Sequence, residues 1–120
     1  MLRLPASFSP THATAGLAGY PAIDVFGPAG TLVSAGFYGI VVRISGRDRA
    51  GTEPAGGAYG WSVYVRNTVT RRTRYVTHLD CLAVEIQHRI SPGTVLGRVA
   101  APPRSAPLGS DHVHLGDTGA

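Results

Sequence analysis

Hydrophobic and polar positions along this chain alternate with a period of two far more often than they recur at helical spacing. "WSVYVRN" (61–67) alternates cleanly, and "TRYVTHL" (73–79) follows a short polar turn, which predicts a β-hairpin. "AIDVF" (22–26), "TLVSA" (31–35), "GIVVRIS" (39–45), "LAVEI" (82–86), "TVLGRVA" (94–100) and "HVHLG" (112–116) predict further strands, rich in β-branched residues. No window of about 11 residues keeps the i, i+3, i+4, i+7 apolar pattern without glycine or proline breaking it. Strands recurring every 8–12 residues or so predict an all-β fold, a single compact antiparallel β-sandwich or open barrel. Two Gly/Pro-rich loops, 47–60 and 101–110, flank strands that carry polar residues of interest. With 120 residues, no linker and no internal repeat, the expectation is one domain over 1–120.

Composition narrows the function classes. The net charge is +4, and every one of the 11 basic residues is an arginine. Together with 16 glycines and nine prolines this resembles the codon bias of a GC-rich genome. A basic balance suits an anionic polymer, nucleic acid or cell wall. However, the arginines are scattered and the aromatic residues do not interleave with them, so no nucleic-acid partner is expected. The densest cluster, "RNTVTRRTRY", falls on the predicted hairpin, whose exposed face would carry the charge. One cysteine, Cys81, excludes an internal disulfide and a cysteine-cluster metal site, and its apolar setting "HLDCLAV" predicts a buried, inert thiol. No apolar run approaches the 18 or so residues of a membrane-spanning helix. The start, "MLRLPASFSPTHATAG", does not follow the pattern of a secretory signal, because prolines and polar residues interrupt it.

The candidate chemistry lies in the histidines and one carboxylate. His112 and His114 are two apart in a predicted strand, so both imidazoles face one surface, about 6–7 Å apart at the backbone. Such a pair could serve a metal, a substrate or neither. Asp24 sits in the otherwise apolar "AIDVF", where a charge is costly unless paired or bound to a cation. His78 ends an alternating strand, and strict alternation sets it with Val76 and opposite Tyr75. His12 lies in the polar approach to "AIDVF", and His88, in "IQHRISPG", reads as solvent-exposed and without a role. Two imidazoles and a carboxylate with an open fourth position make the donor set of a catalytic zinc site.

"AIDVFGPAGTLVSAGFYGIVVRISG" resembles the first half of the lysostaphin-type (LytM-like) zinc endopeptidases of peptidoglycan. In that family an aspartate ligand precedes a "GTPV-A--G-V" stretch. "YGWSVYVRN" is similar to its "G-G--V-I-H" strand, "YVTHLD" to its "Y-HL" motif, "ISPGTVLGRV" to its "V--G--I-G-VG" turn, and "DHVHLG" to its terminal "HLHFE". The motifs stand in the family's order over residues 12–116. The resemblance implies one zinc ion held by Asp24 and His114, with His78 and His112 as catalytic histidines that orient water and stabilise the transition state. The family places its first ligand in H-x-x-x-D. Here Tyr20 stands four residues before Asp24, and His12 is the sole upstream histidine. A longer loop costs little in closure entropy, so His12 is the expected third ligand. Tyr20, Tyr59 and Trp61 are candidates to line the groove, although Trp61 fits a core position equally.

The implied activity is zinc-dependent hydrolysis of peptide bonds in peptidoglycan cross-bridges or stem peptides. The alternative is a catalytically degenerate domain of the same fold, acting as a structural or wall-binding part of a phage virion. A biotinyl or lipoyl carrier would need a lysine, which the chain lacks; a paired-histidine phosphocarrier would need neither metal nor Asp24. The composition suggests a phage component acting at the wall of a GC-rich host, with peptidoglycan peptides and other virion proteins as partners and no membrane partner.

Overall fold

The computed structural model describes residues 1–7, 22–46, 60–100 and 111–118. In chain order their strands are β1 (Leu2–Arg3), β2 (Ala22–Phe26), β3 (Leu32–Ser34), β4 (Gly39–Ser45), β5 (Trp61–Arg66), β6 (Thr73–Asp80), β7 (Arg89–Ile90), β8 (Val95–Val99) and β9 (His112–Asp117). The described residues contain no helix, and therefore none long and apolar enough to cross a membrane. The all-β expectation holds. The strands form one sheet in the order β1-β3-β8-β6-β5-β4-β7, and β2 joins through β9, which pairs with β6. The sheet does not close, and its pairs are antiparallel except for the short parallel contact of β1 with β3.

β6 organises this sheet. One edge pairs with β5, giving the predicted hairpin. Asn67 caps its turn, the side-chain oxygen accepting from Val69 N at 2.9 Å and Thr70 N at 3.0 Å. Arg66, Arg71 and Arg72 are exposed around it, where the charge was expected. The other edge of β6 changes partner midway. Residues 74–77 pair with β9, and Leu79–Asp80 pair with β8. His78 stands between the two, its carbonyl accepting from Ala100 N at 2.9 Å.

Alternation places Val63 and Val65, Val76, and Val113 and Leu115 on one side of these strands. They are buried there with Val33, Val41, Leu79, Leu96 and Val99. Each such side chain contributes about 1.5–3 kcal/mol relative to exposure. Trp61 is half-buried and packs against this cluster. β1 was not expected. It holds because Leu4, buried beneath the sheet, donates its amide to Ser34 O at 2.9 Å. Gly36 permits the crossing, since a Cβ there would collide with the Leu4 carbonyl oxygen.

Two expectations are corrected. Residues 82–86 form no strand, although Val84 is buried and Leu82 packs on the core. Only Ala83 bonds across to Leu96 O, and the backbone turns at Gln87 (φ 77°) before the short β7. The apolar alternation of that stretch records burial and not ladder pairing. Cys81 is exposed rather than buried. It follows β6 in a left-handed conformation (φ 48°) with its amide bonded to Asp80 Oδ1, which turns the thiol out of the sheet.

Candidate active site

The register of β2 against β9 builds the first half of the site. Asp24 lies opposite His114, and Phe26 opposite His112. Alternation then sets Asp24, Phe26, His112 and His114 on one face, while Val113 and Leu115 point into the core. His114 Nδ1 is 3.0 Å from Asp24 Oδ1, and His112 Nε2 is 3.5 Å from Asp24 Oδ2. The one carboxylate therefore addresses both imidazoles, one with each oxygen. These contacts offset the cost of holding Asp24, whose side chain is only 17% exposed, within an apolar strand.

His78 reaches this face by a different route from the one alternation predicts. Val76 pairs with Val63 and Leu79 with Trp61, so Thr77 and His78 together oppose the single Ser62. The extra residue is a β-bulge, and it breaks the period of two. Thr77 still pairs with His114, while His78 adopts φ 62°. This left-handed conformation is unfavourable for most non-glycine residues, though histidine tolerates it better than most. The bulge removes His78 from the Val76 face and sets its ring edge-on to His112, with centroids 5.4 Å apart and planes at 78°. Both histidines are buried, and the Phe26 ring, itself 60% exposed, covers His112 with a 5.0 Å centroid separation.

Tyr75 is a site residue that the sequence reading used only as part of a motif. Its ring stacks on His114 at 5.6 Å between centroids, and its hydroxyl lies 3.3 Å from His114 Nε2. Burial, and next Tyr64, raise its pKa above the ordinary phenol value. No local signal marks it, because its place follows from the register of β6 against β9: Tyr75 lies opposite Gly116, two residues beyond His114 on the same face.

The site thus brings Asp24, His78, His112 and His114 together. His12, Tyr20, Tyr59, the 47–60 stretch apart from Gly60, and the 101–110 stretch lie outside the described residues. Among the described residues no group of three histidine, cysteine, aspartate or glutamate side chains converges as a metal site. Asp24 and His114 do fit a shared divalent ion. Carboxylate and imidazole suit zinc. Two ligands of one tetrahedral zinc stand about 3.4 Å apart, and the facing atoms are at a hydrogen-bonded 3.0 Å here, so a few tenths of an ångström of opening would admit the ion.

No protein-family model and no curated protein matches the sequence. Solved structures do match. The catalytic domain of the antimicrobial peptidase lysostaphin from Staphylococcus simulans superposes with a TM-score of 0.61 at 17% identity, over 96% of this chain and 74% of that one. A putative peptidase M23 from Pseudomonas aeruginosa gives 0.61 at 25% identity, over 92% and 40%. The catalytic domain of the prophage-encoded M23 protein EnpA from Enterococcus faecalis gives 0.61 at 20%, over 90% and 75%. In the solution structure of lysostaphin the chain spans 34% of the length. The protein has the lysostaphin-type, M23 peptidase fold.

Proposed function

We propose that this lysostaphin-type fold serves as a zinc-dependent endopeptidase, hydrolysing peptide bonds of peptidoglycan cross-bridges or stem peptides. The observation that carries the reading is the single face on which Asp24 Oδ1 and His114 Nδ1 stand 3.0 Å apart with the His78–His112 pair beside them. Asp24 and His114 hold the ion, and His12 is the third ligand. When bound, zinc supplies a Lewis acid and makes water a potent nucleophile near neutral pH.

The remaining chemistry belongs to the side chains. His112, whose Nε2 lies 3.5 Å from Asp24 Oδ2, is the general base that takes up a proton. His78, edge-on to that ring, stabilises the oxyanion of the addition step. The Phe26 ring lies against His112 and the Tyr75 ring against His114, which holds the two imidazoles in place. The chain acts as one domain, at the bacterial wall or in a phage particle directed at it.

A second reading, a non-catalytic domain of the same fold in a virion, is favoured by two observations. Among the described residues no three ligand side chains converge as a metal site, and Tyr20 stands where H-x-x-x-D has its histidine. Incubation of the full chain with purified peptidoglycan, with zinc and with chelator, separates the two. Release of new amino termini that chelator abolishes and zinc restores supports the peptidase. Binding to the wall without release supports the second reading.

A further inference from the structure

The contact on the far side of the His114 ring has its own consequence for the metal site proposed above, and it rests on that reading. As a carboxylate, Asp24 only accepts hydrogen bonds. A neutral His114 that donates Nδ1–H across the 3.0 Å contact to Asp24 keeps Nε2 as an acceptor for the Tyr75 hydroxyl. Were His114 and Asp24 to hold a cation, with His114 binding through Nδ1, the ring proton would reside on Nε2 and the partner there would have to accept. A carboxylate or an amide N–H could serve one of these forms only. A hydroxyl serves both by rotating.

Space for it comes from Gly116. By position in "HVHLG" against "HLHFE", Gly116 stands where the resembling motif carries its glutamate. A Cβ at Gly116 would run into the Tyr75 ring and hydroxyl. The side chain that β9 itself omits is thus replaced by one reaching across from β6.

We infer that Tyr75 is a positioning residue for the metal ligand: its hydroxyl holds the His114 ring through Nε2 in both tautomers, in space that Gly116 leaves open. Partners on the second nitrogen of a ligating histidine fix its orientation, and losing one typically weakens metal binding about 10–100-fold.

The test compares the full-length protein with Tyr75→Phe, which keeps the ring and removes only the hydroxyl. Zinc affinity is measured by competition with a chromophoric chelator, and ring-nitrogen NMR shifts of His114 are measured in the metal-free form. Zinc affinity in Tyr75→Phe is expected to fall about 10–100-fold. The His114 Nε2 resonance should move while the thermal midpoint of the metal-free protein stays unchanged. Affinities within twofold of one another, with His114 resonances unmoved, overturn the inference and leave the metal reading intact. Failure of the wild type itself to take up zinc overturns the metal reading and this inference with it.

Discussion

His78 and His112 meet edge-on at 5.4 Å because β6 carries one residue more than β5 between Val76 and Leu79. The bulge sets His78 at φ 62°, a conformation that costs a non-glycine residue on the order of 1 kcal/mol. His78→Gly should therefore be more stable than His78→Ala by about that amount in urea denaturation. Both variants should lose turnover, since both lack the ring. Equal stability of the two would mean that the bulge relaxes once the imidazole is gone.

The same residues show what was legible beforehand. "AIDVF" and "GIVVRIS" form strands at the residues their short apolar, β-branched runs marked. "HVHLG" places both histidines on one face, as alternation along a strand requires. Two things were not legible. Asp24 and His114 are 90 residues apart, and nothing local specifies their register across β2 and β9. The bulge at His78 depends on β6 changing neighbours from β9 to β8, a tertiary event that a period-of-two reading misassigns. "LAVEI" failed in the opposite sense, having the alternation of a strand without a partner to pair with along its length.

Gly116→Ala should act on Tyr75 more than on the fold. The atoms its Cβ would meet belong to the far end of the Tyr75 ring, which can swing away. The expected cost in stability is about 1 kcal/mol, at the low end for an inserted methyl group. Zinc affinity should fall as in Tyr75→Phe, measured with the same competition titration. In a Tyr75→Ala background, Gly116→Ala should cost less stability than it does in the parent, without recovering the affinity.

Asp117 offers a test of the opposite sheet face. Its buried carboxylate accepts from Arg72 Nε at 2.9 Å and favours the charged form of the half-buried Arg74, against desolvation that lowers the pKa of that guanidinium. Arg74 also lies over the Phe37 ring at 5.0 Å. Asp117→Ala removes the counter-charge and leaves the cation, and should cost about 2–3 kcal/mol; Arg72 is half exposed, so the loss falls below that of a fully buried pair. Urea denaturation measures it, and the histidine face should remain intact.

Cys81 should be accessible in the folded state. Its exposure predicts about one equivalent of labelling by a thiol reagent under native conditions. Cys81→Gly should be at least as stable as the parent, because glycine adopts φ 48° without strain. Labelling that appears only after denaturation would contradict the placement.

The metal content of two single variants tests the central claim most directly. Asp24 Oδ1 faces His114 Nδ1 at 3.0 Å, whereas His112 addresses the other oxygen at 3.5 Å beside His78. The two histidines of one motif are therefore assigned different work. Zinc bound per chain should be about one in the wild type and in His112→Ala, and near zero in His114→Ala. Peptidoglycan hydrolysis should be lost in both variants. Equal zinc loss from both, or full retention in His114→Ala, would contradict the account.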